Sequence, residues 1–158
     1  MNLPVLVVGP HGLIRMGPIG ALLTLPPRVV VTGATASERT RAAAIGVLAL
    51  RELSAYLHGK LQEWSVPVRP EGTEFQRAVW AAIDCVPYAA TMTYGALAAA
   101  VGRPRAVRAV AGACGRNPLP LRIPCHRIVA AHGPGGYTGG LAYKFRLWEL
   151  EGITPAFR

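Results

Sequence analysis

The sequence predicts a small α/β domain followed by a mainly α-helical domain. Three observations carry this. Residues 1–34 alternate short Val, Leu and Ile runs with turn formers; a long stretch from Ser37 places apolar residues at helical spacing; and beyond a Pro/Gly-rich segment only helical periodicities recur. A chain of 158 residues, 51% hydrophobic, can build one ordinary core or two small ones.

The turn formers Gly9-Pro10-His11-Gly12, Gly17-Pro18, Pro26-Pro27 and Gly33 divide the first segment into short strands. A helix capped by Ser37 should follow, with Ile45, Ala49, Leu53, Tyr56 and Leu57 on its buried face, until His58-Gly59 ends the pattern. Residues 65–72 hold two prolines and a glycine and read as an extended linker, so the domains are set at 1–67 and 68–158.

In the second domain Thr73 caps a helix with Phe75, Val79, Ile83 and Val86 on one face, closed by Pro87, and residues 88–92 form a loop. Tyr94, Leu97, Ala98 and Val101, then Val107, Val110, Ala111 and Cys114, repeat one helical spacing around Gly102-Arg103-Pro104. This predicts two short helices and a tight turn, an arrangement found both in DNA-binding proteins and as plain scaffold. On the second helix Ala106, Ala109 and Gly112 beside Arg105 and Arg108 make a thin basic face suited to a DNA groove. A glycine-rich loop over 132–140 and a last helix over 141–150, carrying Leu147 and Leu150, complete the chain.

The net charge of +9 favours a polyanionic partner. No acidic residue falls between Asp84 and Glu149, whereas Arg103, Arg105, Arg108, Arg116, Arg122, Arg127, Lys144 and Arg146 do. A solvated face of skewed composition is the alternative reading. The start of the chain lacks a basic n-region and a long apolar run, and nothing approaches about 18 uncharged apolar residues, which points to a cytoplasmic protein without a membrane partner. Cys85, Cys114 and Cys125 are widely spaced and odd in number, suggesting neither a disulfide framework nor a metal knuckle.

Cys125 and His126 stand together between Pro124 and Arg127, in a basic setting that stabilises a thiolate. Alone, such a pair more often marks a buried structural cysteine. Several further stretches run in order with it: Gly72-Thr73-Glu74-Phe75-Gln76 with Val79-Trp80; Val86-Pro87-Tyr88 with Thr93-Tyr94-Gly95; Arg108-Ala109-Val110; Asn117-Pro118; Ile123-Pro124-Cys125-His126-Arg127-Ile128; Gly136-Tyr137-Thr138-Gly139-Gly140-Leu141; and Glu149-Leu150-Glu151-Gly152. Over residues 72–152 the chain thereby resembles the O(6)-alkylguanine-DNA alkyltransferase family, the methylated-DNA-protein-cysteine methyltransferases.

The resemblance implies a ribonuclease H-like N-terminal domain, a C-terminal domain with a winged helix-turn-helix, and double-stranded DNA containing O(6)-alkylguanine as partner. It implies that Cys125 takes the alkyl group once and irreversibly, that His126 accepts the thiol proton through a water, that Glu151 orients His126, and that Asn117 braces the loop near the thiol. Tyr94 would help rotate the nucleotide and donate toward the guanine. Arg108 would enter the base stack, with Arg105, Ala106, Arg116 and Arg127 on the DNA side, and Gly136, Tyr137 and Thr138 would close over the flipped base. No metal or cofactor is expected, and the protein should act as a monomer.

The chain departs from the family pattern at Pro87-Tyr88-Ala89-Ala90, where many relatives have Pro-Tyr-Gly-Glu, and its N-terminal domain matches only loosely, at Gly17-Pro18-Ile19-Gly20 and Tyr56-Leu57-His58-Gly59-Lys60. A binding-only relative would lack the cysteine, and a winged-helix regulator would be a dimer reading specific half-sites.

Overall fold

The computed structural model describes residues 5–17, 22 and 28–154. The turn formers Pro18, Pro26 and Pro27 lie outside the described residues, as do Ile19 and Gly20 of the loose family match. The chain forms two compact units, Met1–Glu71 and Gly72–Arg158.

In the first unit β1 (Val5–Gly9) and β2 (Gly12–Arg15) form an antiparallel hairpin with Gly9 opposite Gly12. β3 (Arg28–Val31) pairs parallel with β1, giving the order β2-β1-β3. Leu6 and Val8, two apart and so on one face, are buried together with Leu13. Helix α1 (Ala36–Leu57) packs on β1. It approaches closely at Gly46, where an added Cβ would lie 2.7 Å from Val29.

Three details differ from the sequence reading. The cap of α1 is Thr35, which accepts from the Glu38 N–H while the Glu38 carboxylate accepts from the Thr35 N–H. Ser37 has no acid three residues on and cannot make this reciprocal pair. Ile45 is only half-buried, and Ala42, Gly46 and Glu52 share the buried stripe with Ala49, Leu53 and Tyr56. Residues 65–69 are anchored to the first unit rather than linking the two. The Ser65 and Val66 N–H groups donate to the buried Glu52 carboxylate, and Leu13 exchanges hydrogen bonds with Pro67 and Arg69. The division therefore falls after Glu71, past the expected boundary at residue 67.

The second unit opens with α2 (Glu74–Asp84), capped by a reciprocal Thr73–Gln76 pair. Val79 and Ile83 are buried as the periodicity predicts, and Trp80 joins them, its indole N–H donating to the Ala113 carbonyl at 2.9 Å. β4 (Met92–Thr93) pairs parallel with β5 (Ile128–Val129), a ladder too short to leave an alternating pattern in the sequence. Thr93 caps α3 (Tyr94–Ala100), and Gly102 at φ +70° turns the chain toward α4 (Val107–Gly115). Helix α4 buries Val110, Ala113 and Cys114, while Val107, expected in the core, is 38% exposed. The last helix, α5 (Leu141–Glu151), ends at Gly152 in the left-handed conformation and buries Lys144, Leu147, Trp148 and Glu151; Leu150 is half-buried.

Candidate active site

Residues 117–127 form a loop braced from within. The Asn117 side chain accepts from the Leu119 N–H at 2.9 Å and donates to the Ile123 carbonyl at 2.7 Å and to Cys125 Sγ at 3.2 Å. Leu121 holds a left-handed φ of +78°, a strained backbone retained because its side chain is fully buried. Cys125, His126 and Arg127 then make one 3-10 turn, tied to α5 by the Trp148 indole, which donates to the His126 carbonyl at 2.7 Å.

Glu151, buried at the end of α5, is the hub under this turn. Its Oε1 lies 2.7 Å from His126 Nε2 and 3.0 Å from Arg127 Nη2, and its Oε2 accepts from Arg127 Nε at 2.8 Å. A carboxylate at Nε2 fixes the hydrogen there in the neutral imidazole, so Nδ1 carries the lone pair a base needs. Burial pushes the His126 pKa down, opposed by its bond to Glu151, and so favours the neutral ring. Burial pushes the Cys125 thiol up, opposed first by the Asn117 hydrogen bond and then by the Lys144 charge.

Cys125 opens onto a cavity of about 320 Å³. It is lined besides by Tyr94, the small residues Ala111, Cys114, Gly115 and Gly136, and by Tyr137 and Thr138. The Tyr94 hydroxyl donates to the Gly136 carbonyl at 3.4 Å and Thr138 Oγ1 to the Gly115 carbonyl at 3.0 Å, which closes the wall across α4. Gly135, at φ +70°, lies so close beneath Tyr94 that a Cβ would stand 2.8 Å from the ring. Burial raises the Tyr94 pKa to about 12, so its hydroxyl stays protonated and available as a donor.

Cys125, His126, Glu151, Asn117, Tyr94, Gly136, Tyr137 and Thr138, assembled from widely separated segments, therefore occupy one site. Arg105, Arg108 and Arg116 are exposed on and beside α4, and Ala106 is half-buried at its start. Arg127 needs correction: expected on the DNA side, it is 5% exposed and engaged by Glu151, the Val86 carbonyl and the Tyr88 ring, out of reach of a phosphate. The acid-free charge field likewise divides, because Lys144 is fully buried and Arg122 pairs with Asp84.

Sequence reasoning missed Cys114 as a lining residue of the cavity and Lys144 as a buried cation that donates to the Gly136 carbonyl. Lys144 stands three and four residues before Leu147 and Trp148, on the buried stripe of α5, and that spacing was the available signal. Among the described residues no group of three or more His, Cys, Asp and Glu side chains is arranged to hold a metal ion, and no helix is long and apolar enough to cross a membrane.

Residues 74–153 match the family described as 6-O-methylguanine DNA methyltransferase, DNA binding domain. The chain belongs to this family. A methylated-DNA--protein-cysteine methyltransferase of Methanosarcina acetivorans is 48% identical over 105 residues, 66% of this chain and 67% of the relative. One from Mycolicibacterium paratuberculosis is 42% identical over 121 residues, 76% and 70% of the two chains. Among solved structures, a Mycobacterium tuberculosis O6-methylguanine methyltransferase superposes with a TM-score of 0.70 at 31% identity, covering 99% of this chain and 96% of that one. The same organism's OGT in complex with DNA gives 0.65 at 36% identity, covering 78% and 70%. The family matched in the sequence analysis is thus the one the comparisons find, and the N-terminal unit, loose in sequence, is included in the structural match.

Proposed function

We propose that this chain repairs O(6)-alkylguanine in double-stranded DNA by rotating the damaged nucleotide into the cavity and moving its alkyl group to Cys125. The observation that carries the reading is a cysteine at the cavity floor, hydrogen-bonded by Asn117 and followed directly by a histidine held on a buried carboxylate. The same three-part logic of nucleophile, base and orienting acid activates weak nucleophiles generally.

The thiol proton passes to His126, through a water, as Cys125 Sγ attacks the alkyl carbon in line. The S–C bond forms, the C–O6 bond breaks, and its electron pair goes to the guanine oxygen, toward which the Tyr94 hydroxyl donates. The product thioether carries no charge and no good leaving group, so each molecule acts once. Rotating the nucleotide costs a few kcal/mol of stacking; Arg108, whose guanidinium is planar and can stack, fills the space left behind. Exposed Arg105 and Arg116 and the N-terminus of α4 attract the phosphates. Within this reading the helix pair of the second unit is a winged helix-turn-helix, the first unit is ribonuclease H-like, and the protein works in the cytoplasm as a monomer without metal or cofactor.

The test is a single-turnover incubation with duplex DNA carrying radiolabelled O(6)-methylguanine, followed by mass spectrometry of the peptides. Label on the Cys125 peptide, lost in Cys125→Ala while DNA affinity persists, is the expected result. Label elsewhere or nowhere overturns the proposal.

A further inference from the structure

We propose that Lys144 is a positioning residue of this site, its ammonium serving as counter-ion to the Cys125 thiolate and as the pin of the cavity's glycine-rich wall. The inference deepens the alkyl-transfer reading and rests on it.

The side chain is fully buried, and Nζ donates to the Ile128 carbonyl at 2.6 Å, to the Pro134 carbonyl, and to the Gly136 carbonyl at 3.4 Å. It also lies 5.4 Å from the centre of the Trp148 ring. These partners adjoin the turn that carries the thiol and the cavity it lines. Ile128 directly follows the turn that carries Cys125, Gly136 lines the cavity and accepts from Tyr94, and Trp148 holds the His126 carbonyl.

Among the described residues Lys144 has no carboxylate within ion-pairing distance, and Glu151 is already taken by Arg127 and His126. With His126 neutral, Glu151 balances Arg127 and one buried ammonium is left against neutral carbonyls. A buried cation without an anion is costly, and proteins retain one where an anion forms beside it. The thiol of Cys125 is the group here that becomes an anion during transfer. Burial pulls Lys144 down to about 8, and the nearby Cys125 and Cys114 sulfurs act in the opposite direction.

Two measurements on the full chain test this, neither using DNA. In the first, the pH dependence of Cys125 alkylation by iodoacetamide, mapped by mass spectrometry, is compared in wild type, Lys144→Met and Lys144→Arg. The Met variant should raise the Cys125 midpoint by about one unit, lowering the thiolate fraction about tenfold below the midpoint, and the charge-retaining Arg variant should restore it. An unchanged midpoint in a folded Met variant overturns the proposal. In the second, which needs no change at Lys144, the ε-carbon resonance of Lys144 is titrated by NMR; Lys60 and Lys144 are the only lysines in the chain. Cys125→Ser should lower the Lys144 midpoint by removing the anion, and an equal or higher midpoint refutes the pairing. A protein that fails to accept methyl from DNA yet passes both measurements sinks the repair reading alone.

Discussion

Changing Glu151→Gln keeps the shape of the side chain and removes the charge shared by His126 and Arg127. In the native site both carboxylate oxygens accept: Oε1 from His126 at 2.7 Å and Arg127 at 3.0 Å, and Oε2 from Arg127 at 2.8 Å. A glutamine offers one oxygen and one NH2, so in either orientation the amide meets an N–H with an N–H. It also leaves the Arg127 guanidinium buried without its anion. Breaking a buried pair from one side costs about 3–5 kcal/mol. In a unit of this size each kcal/mol lowers Tm by about 4–8 °C, so a fall of at least about 12 °C is expected by calorimetry. Single-turnover transfer should fall by about 10² or more, because the imidazole then loses the negative charge that supports the proton it takes up. Adding Arg127→Met to Glu151→Gln removes the stranded cation, and the double variant should be less destabilised than the sum of the singles by about 1–3 kcal/mol. Strict additivity, or a Tm within about 2 °C of wild type in the Gln variant, would refute the reasoning that Glu151 is the hub.

Four further outcomes are expected. Gly72→Ala should lose about 1–3 kcal/mol in urea unfolding, because the new Cβ would stand 2.6 Å from the rigid Trp80 ring; equal stability would mean that the ring moves aside freely. Arg108→Ala should slow transfer, whereas Arg105→Ala should reduce the slope of log affinity against log salt by about 1 and replacing the buried Arg127 should leave that slope unchanged; single-turnover rates and fluorescence anisotropy at several salt concentrations separate them. His126 is held below the ordinary imidazole range, so the unfolded chain takes up the proton first. Stability should therefore fall as pH drops below about 6.5, and this limb should flatten in His126→Asn; parallel curves would contradict the assignment. Methylated protein should melt lower, by about 1–3 kcal/mol of stability, since the added carbon crowds the 3.2 Å contact between Asn117 and the sulfur; identical melting before and after reaction would remove this expectation.

Much of the secondary structure was legible because it rests on local rules. Thr73 with Gln76 announces a capping box, Val79 and Ile83 lie one turn apart, and Gly152 ends a helix in a left-handed conformation that other residues adopt only at a cost. Less was legible where partners are distant. The β4–β5 ladder joins residues 92–93 to 128–129, and Glu52 ties residues 65–66 to the first unit across a dozen positions; neither leaves a periodicity to read. Ala89 adopts a left-handed φ of +60°, a strain its sequence neighbours do not disclose.

The chemical cast is written in the order of residues: the run Pro124-Cys125-His126-Arg127, its distance from Asn117, and a basic stretch without acids from residue 85 to 148. Which of those charges face solvent depends on how the chain folds. Arg108 is exposed, while Arg127 and Lys144, equally basic in composition, are buried on opposite terms, one paired with Glu151 and one held by carbonyls beside the thiol. The reason is physical: a charge's role depends on its desolvation and its partners, and both are set by residues far away in the chain.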